Sequence, residues 1–474
     1  MRKTKIICTL GPSTDKEGVL ESLILEGMNV ARFNFSHGTH EEQKARLELL
    51  KELRQKHNKP IAALLDTKGP EIRIGCFEHD SIILEEGQTF TLTSEEISGT
   101  QGRVTITYKD LYQDVKVGDA ILIDDGLIGM EVTDIIGSDI VCIVKNGGKI
   151  SNRKGVNVPG AHLSMEFISP KDADDILFGI QEGFDFIAAS FTRTAQDVRD
   201  IRKLLAEHGG SNINIIAKIE NQEGVDNIDE IIEAADGIMI ARGDMGVEIP
   251  LEDVPVIQQD LIQKVYRAGK QVITATQMLD SMIVHPRPTR AETTDVANAI
   301  YQGTSAIMLS GETAAGMYPV EALKTMVRIA VRMESNIDYN ELFRTTKRND
   351  APDMTNAISH ATCMTAIDLK AKAILAVSVT GRTARMISKY RPECLIAGCS
   401  TSEQVCRQLN MSWGIFPMHV KEEYSSEILC LRAAEAAQKN GLVEDGDIVV
   451  FTAGVPLGKP GKTNLIRACV IGEI

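Results

Sequence analysis

Two short segments of this chain concentrate side chains that can do chemistry, Lys218-Ile-Glu220 and Arg242-Gly-Asp244. Each pairs a cation with a carboxylate two residues away, and in an extended strand that spacing puts both on one face. Glu220 and Asp244 are hard oxygen donors. Two carboxylates completed by substrate oxygens and water suit Mg²⁺ or Mn²⁺, which rarely takes an all-protein cage. The competing role is structural, because either acid can cap a following helix, whose N-terminal dipole favours negative charge. Lys218 follows Ile215, Ile216 and Ala217 and precedes Ile219, so its ammonium must leave an apolar strand at the strand's end. Fixed there, it can stabilise charge developing on a transferring phosphoryl group or an enolate. A salt bridge to Glu220 or Asp244 is the plain alternative, and a Schiff-base lysine of an aldolase-like enzyme is the other.

Other polar clusters have the same form. Arg32, Asn34 and Ser36 fall on one face of a strand, with Phe33 and Phe35 on the other. Further strands end at Asp66-Thr67, at Thr274-Ala-Thr276 and at Ser310-Gly-Glu312. Asn34, Ser36, Asp66 and Thr67 offer four oxygens with one negative charge, a set suited to a monovalent cation or to an ordinary hydrogen-bond network. His37 and His40 have a metal-pair spacing, but no Cys or third His stands near them to complete a zinc site. The single Trp413 reads as core or interface. Near the C-terminus, Ser378-Val-Thr-Gly-Arg-Thr383 reads as a strand-to-helix loop, with Ser378, Thr380 and Thr383 able to face an anion. The segment 454–464 is rich in Gly and carries two lysines, so it reads either as a second phosphate-type loop or as turns alone, and its spacing is not that of a P-loop.

Positioning so many polar groups on one rim requires a particular scaffold. β-branched runs at 5–10, 30–35 and 61–66 alternate with helical stretches at 16–26 and 40–57, the rhythm of a parallel sheet with helical crossovers. From about 70 to 165 the rhythm stops. Short alternating runs at 81–84, 89–93, 103–107, 120–124 and 139–144, separated by turn signals and without convincing helices, predict a small inserted β-barrel. The alternation resumes at 169 with strands at 186–191, 213–219, 237–241, 271–275 and 306–310. Three strands plus five make the eight of a closed (β/α)₈ TIM barrel, whose reactive groups sit at the C-terminal ends of its strands. An open doubly wound sheet is the rival, but no G-x-G-x-x-G fingerprint supports it. A polar stretch at 343–355 precedes a third, α/β unit with strands at 374–379, 395–399, 415–417, 447–451 and 468–471. The expected division is 1–69 with 168–340 as catalytic barrel, 70–167 as lid domain and 341–474 as an effector-binding α/β domain.

Composition agrees with this plan. A chain of 474 residues exceeds what one core supports. Hydrophobic content of 43% and charged content of 25% are those of a soluble globular protein. A net charge of −15 argues against nucleic acid or an anionic membrane as the main partner. No apolar run approaches a membrane span, and the first residues carry no secretory h-region. Nine scattered cysteines without a C-x-x-C pair read as free thiols of a cytoplasmic protein.

Taken together, 28–38 (MNVARFNFSHG), 65–73 (LDTKGPEIR), 218–221 (KIEN), 241–248 (ARGDMGVE), 275–279 (ATQML) and 308–313 (MLSGET) resemble pyruvate kinase, in the right order and around a β insert. That resemblance implies transfer of the phosphoryl group of phosphoenolpyruvate to ADP, giving pyruvate and ATP. It implies that Glu220 and Asp244 hold Mg²⁺, that Lys218 stabilises the phosphoryl group and the enolate, and that Arg32 binds phosphate. Gly243, Asp244 and Thr276 would orient the substrate carboxylate, and Thr276 would support protonation of the enolate through water, with Ser310 and Glu312 nearby. Asn34, His37, Arg73 and Lys154 would lie at the nucleotide, Lys154 arriving as the insert closes. K⁺ would sit on Asn34, Ser36, Asp66 and Thr67, and the acid Glu71 marks the K⁺-dependent form, where a lysine would replace the ion. A sugar phosphate or AMP effector at Ser378, Thr380 and Thr383 and a homotetramer are also implied. The start near the first strand and the end at Ile474 carry the expectation of a bacterial-type enzyme, without the extra segments of animal and some bacterial relatives. A Mg²⁺-dependent lyase or aldolase barrel would share the metal acids but would not need the insert or Lys154. A metabolite-sensing scaffold would be favoured by loss of Lys218 or a metal acid, and none is lost.

Overall fold

A computed structural model describes residues 1–345, 353–423, 425–456 and 463–473. Parts of the polar stretch at 343–355 and of the 454–464 loop lie outside the described residues. Eight parallel strands, Lys5–Thr9, Val30–Asn34, Ala62–Asp66, Phe186–Ala189, Asn214–Ile219, Gly237–Ala241, Gln271–Ala275 and Ala306–Leu309, close into a barrel. Each pairs with the next in chain order, and the last pairs with the first through Lys5↔Ala306 to Cys8↔Leu309. Helices on the outside bury the strands' second face, so most of the strands are apolar and buried along their whole length.

Alternation within the strands sorts the core into two. Ile7, Val30, Leu64, Phe186, Ile216, Met239, Ile273 and Met308 point inward and fill the barrel, joined by Met411 from the C-terminal domain. Ile6, Cys8, Phe33, Leu65, Ile187 and Ile215 point outward into the helical layer. Two residues beyond Val30, Leu64, Ala188, Ile216 and Met308 the alternation reaches the rim. There it places Arg32, Asp66, Ser190, Lys218 and Ser310.

The insert between the third and fourth barrel strands is a seven-stranded sheet with a two-stranded ribbon beside it. Its two edges meet. An antiparallel bridge joins Ile74 to Ile106, and Gly75 N–H donates to Thr105 O (2.8 Å) and Thr107 N–H to Arg73 O (2.8 Å), which closes the small barrel. One short helix, Leu111–Asp114, was not foreseen, because four residues are too few to give a helical period. The insert rests on the barrel through Asn157 Nδ2 donating to Glu248 Oε1 (2.8 Å) and through Arg193 donating to the carbonyls of Leu163 (2.8 Å) and Met165 (3.2 Å).

Among the described residues the C-terminal domain has five strands, four parallel and one, Leu465–Val470, antiparallel at the edge. It seals the barrel's N-terminal mouth. Asn410 Nδ2 donates to Asn29 O (3.0 Å) and Pro60 O (2.9 Å), and Arg407 Nε pairs with buried Asp185 (2.8 Å). Trp413 is buried at this seam under the Arg391 guanidinium, 4.4 Å from its ring. Lys5 also lies in the seam, 3% exposed, with Nζ donating to Ile415 O (2.6 Å). Burial, reinforced by the Arg2 charge, depresses its pKa to about 7. The unfolded chain therefore holds a proton on Lys5 that the folded chain has released, between about pH 7 and its ordinary value, and stability in that window rises with pH. Lys5→Met removes this dependence. We expect it to stabilise the fold at pH 6–7 by about 1–3 kcal/mol, with a flatter pH profile of denaturation midpoints than the parent. An unchanged profile would contradict the buried-ammonium account.

All nine cysteines are free thiols. Among the described residues no helix is long and apolar enough to cross a membrane.

Candidate active site

The strand Asn214–Ile219 delivers Lys218 to the barrel's C-terminal mouth, where the side chain is almost fully covered. Its Nζ donates to Ser190 Oγ (2.7 Å) and Asp66 Oδ1 (3.1 Å) and lies 3.0 Å from Glu220 Oε1. Burial opposes the charge on Lys218, but the Asp66 and Glu220 carboxylates outweigh it and hold the pKa above the ordinary lysine value. An ammonium so strongly held is a poor nucleophile, so the geometry favours charge stabilisation over the Schiff-base alternative.

Glu220 is fully buried. Phe191 N–H donates to its Oε2 (2.5 Å), whereas among the described residues Oε1 receives no hydrogen bond and has only the lysine contact. Burial raises its pKa above the ordinary carboxylate value, Lys218 opposes the rise and the nearby Asp244 charge adds to it. Among the described residues the Asp244 carboxylate has neither a hydrogen bond nor an ion pair. A buried carboxylate oxygen without a donor, beside a second unpaired carboxylate, is an arrangement that a divalent cation completes. No group of three or more His, Cys, Asp or Glu side chains forms a metal cage among the described residues, so substrate and water must supply the remaining donors. This fits Mg²⁺ or Mn²⁺ at Glu220 and Asp244, apart from the His37–His40 segment. His40 instead pairs with Asp175 (2.7 Å) and stacks on Phe178.

Alternation fails at one expected place. The strand carrying Arg242 ends at Ala241, and Arg242–Glu248 is helical, so Arg242 and Asp244 do not share a strand face. Arg242 turns away to Asp295 (2.7 Å) and to Thr276 O (2.7 Å). Thr276 adopts φ 66°, a conformation that a β-branched residue takes only when its surroundings enforce it. Its Oγ1 accepts from Gly243 N–H (2.8 Å) and donates to Ala275 O (2.6 Å). The Gly243 amide, expected to orient substrate, is thus engaged with Thr276 itself, and the two form one unit. Among the described residues Ser310 Oγ is buried without a partner, while Glu312 accepts from the Ser310 and Leu279 amides (2.7 and 3.0 Å).

Arg32 Nε pairs with Asp66 Oδ2 (2.5 Å) and Nη1 donates to Thr9 Oγ1 (3.0 Å), which leaves Nη2 for an anion. Asn34 and Asp66 are register partners in adjacent strands, with Ser36 and Thr67 just beyond. Asn34 Oδ1 accepts from Ser36 N–H (3.1 Å), and Thr67 Oγ1 from Ser190 N–H (3.2 Å). The Asp66 carboxylate is already shared between Arg32 and Lys218, a fact that ligand type alone could not reveal. His37 is exposed. Lys154 pairs inside the insert with Asp124 (2.8 Å), and Arg73 pairs with Glu71 (2.5 Å) and donates to Arg153 O (2.7 Å). In the C-terminal domain Ser378 and Thr380 lie in the loop before the helix Arg382–Ser388, but Thr383 is buried with Oγ1 on Thr463 Oγ1 (2.9 Å). Its hydroxyl packs inward, away from the loop's surface.

Ser190 and Phe191 are the site residues that the sequence reading missed. The signal was present, since Phe186, Ala188 and Ser190 continue the inward alternation applied to the other strands.

Comparison with known proteins gives a consistent result. Residues 1–323 match the family model for the pyruvate kinase barrel domain, and 356–469 that for the pyruvate kinase alpha/beta domain. The chain is 51% identical over 476 residues to pyruvate kinase of Sporosarcina psychrophila, covering 100% of this chain and 81% of that one. It is 50% identical over 472 residues to pyruvate kinase of Clostridium acetobutylicum, covering 99% and 100%. A crystal structure of a pyruvate kinase from Cryptosporidium parvum superposes with a TM-score of 0.95 at 40% identity, covering 99% of this chain and 96% of that one.

Proposed function

The chain belongs to the pyruvate kinase family, and from that premise we propose that it moves the phosphoryl group of phosphoenolpyruvate to ADP at the Lys218–Glu220–Asp244 rim. The observation that carries this reading is the Lys218 ammonium held beside a buried carboxylate oxygen that lacks a donor. A divalent cation on Glu220 and Asp244, Mg²⁺ or Mn²⁺, supplies charge neutralisation for substrate oxygens when bound. Arg32 Nη2 binds a phosphate oxygen. Lys218 sits where negative charge spreads over the phosphoryl oxygens and then over the enolate oxygen. The bond from phosphorus to the enol oxygen breaks as the bond to the ADP β-phosphate oxygen forms. The enolate then takes a proton at its methylene carbon, and the Thr276 hydroxyl and the unpartnered Ser310 Oγ are suited to hold the delivering water. His37, Arg73 and Lys154 serve the nucleotide, which requires Lys154 to exchange Asp124 for phosphate as the insert closes. Formation of pyruvate that requires phosphoenolpyruvate, ADP and a divalent cation together tests the reading; pyruvate formed from a larger 2-oxo acid, with neither phosphoenolpyruvate nor ADP, would point to lyase chemistry.

The division into a barrel at 1–69 and 168–340, a lid at 70–167 and an effector domain at 341–474 belongs to the same reading. So does K⁺ on Asn34, Ser36, Asp66 and Thr67. Their placement on adjacent strand ends supports it, and Glu71 stands where a lysine would replace the ion. We expect low activity with Mg²⁺ alone and restoration by K⁺. Full activity in buffer free of both K⁺ and Na⁺ would remove the ion from the account. Ser378 and Thr380 are suited to a sugar phosphate or AMP, with Thr383 contributing only if it leaves Thr463; effector titration of the phosphoenolpyruvate curve tests this. A homotetramer in the cytoplasm completes the proposal, and sedimentation velocity checks the tetramer.

A further inference from the structure

Lys218 and Glu220 are held by two consecutive residues outside their own strand. Ser190 Oγ accepts from Lys218 Nζ (2.7 Å) and has acceptors for its own proton at Thr67 O (2.7 Å) and Asp66 Oδ1 (3.1 Å). Phe191, at φ 56°, aims its N–H at Glu220 Oε2 (2.5 Å). A bulky residue in that conformation is strained, and the strain persists because the corner is packed. Gly69, at the root of the insert, lies so close that a Cβ there would come within 2.8 Å of Ser190 Cβ and 3.0 Å of the Phe191 ring.

The two hydrogen bonds divide the work. Lys218 donates properly to Ser190 and Asp66, while its contact with Glu220 Oε1, at 3.0 Å, lacks hydrogen-bond geometry and leaves that oxygen without a donor. Without the Ser190 oxygen, the freed N–H has one obvious acceptor nearby, Glu220 Oε1. That is the oxygen a divalent cation needs.

We infer that Ser190 and Phe191 form a positioning corner that directs the Lys218 N–H bonds away from Glu220 Oε1, 3.0 Å distant, and so leaves that oxygen's lone pairs for the divalent cation. The inference rests on the assignment of Glu220 as a metal ligand. Neither residue touches the reacting atoms in this account; each acts through the group it holds. The contact with Gly69 places the corner against the root of the insert, beside the segment about which a lid would move.

The test is Mn²⁺ binding to the full-length protein followed by electron paramagnetic resonance, for the parent, Ser190→Ala, Ser190→Cys and Glu220→Gln. Ser190→Ala is expected to weaken Mn²⁺ binding about tenfold and to lower kcat within the 10–100-fold range of outer-shell changes. Ser190→Cys preserves the packing but supplies a poor acceptor, and it is expected to shift binding in the same direction even if Ser190→Ala does not fold. A merely structural serine would lower the denaturation midpoint without changing the Mn²⁺ dissociation constant of the folded fraction. Parent-like Mn²⁺ affinity in the Ser190 variants, with binding lost in Glu220→Gln, would overturn the inference and leave the metal site standing. Parent-like affinity in Glu220→Gln would overturn the metal assignment and the inference with it.

Discussion

Lys218→Met is expected to lower kcat for ADP-dependent pyruvate formation by about a thousandfold, with Mn²⁺ binding retained or tightened. One preorganised charge aimed at a transition state is worth about 10²–10³ in rate, and more when the charge is full and the site is dry. Lys218 satisfies both conditions, being a cation that is almost fully buried. Methionine fits among Ile215, Ile216, Ala217 and Ile219, so the strand itself is not disturbed. Two carboxylates lose a partner, but Asp66 keeps Arg32, and Glu220 takes a proton or the cation. The opposite signs of the two effects are the informative part. Loss of a structural salt bridge would reduce stability and activity together, with a cost of about 3–5 kcal/mol for an uncompensated buried charge. Loss of a charge stabiliser reduces turnover while Glu220 Oε1 becomes freer for metal. A coupled assay alongside Mn²⁺ titration separates them, and retention of more than about a tenth of the parent kcat would be too much for this account.

Glu220→Gln carries the second large effect. Its carbonyl oxygen can still accept from the Phe191 amide, which leaves the NH₂ group facing the Lys218 ammonium and the cation's position. A donor and a cation then compete where one free oxygen stood. We expect Mn²⁺ affinity to fall by at least about a hundredfold, beyond the range seen for outer-shell partners. Partial recovery of turnover at high Mn²⁺ should follow, because phosphoryl transfer still has Lys218. Asp244→Asn should act in the same direction, since Asp244 has no structural partner among the described residues. If either variant binds Mn²⁺ as the parent does, the two-carboxylate assignment is wrong.

What could be read from the residues depended on how long a single periodicity lasted. Eight buried apolar runs interrupted by a helix-poor insert marked a parallel sheet covered on both faces, and their number, with no dinucleotide fingerprint, favoured the closed barrel over an open sheet. Period two also carried Arg32, Asp66 and Lys218 correctly to one rim, two residues past Val30, Leu64 and Ile216. It broke at Ala241, where the chain turns at once into a helix and sends Arg242 to Asp295. No composition rule marks that switch, since Arg242-Gly-Asp244 suits a strand end and a helix start equally. Ser190 was legible by the same rule but carried no charge to draw notice. The Phe191 amide, by contrast, is a backbone group in an unusual conformation, and nothing in the side-chain sequence encodes it. The sharing of Asp66 between two cations and the burial of Thr383 against Thr463 are long-range contacts of the same kind.

The Lys218–Glu220–Asp244 arrangement stands or falls on where the divalent cation sits. Crystals grown with Mn²⁺ and pyruvate, measured at the manganese absorption edge, should give an anomalous peak about 2.1 Å from Glu220 Oε1 and from an Asp244 carboxylate oxygen. Lys218 Nζ should lie outside the coordination sphere and remain on Ser190 Oγ. A strong peak elsewhere in the barrel mouth, with none between Glu220 and Asp244, would contradict the account.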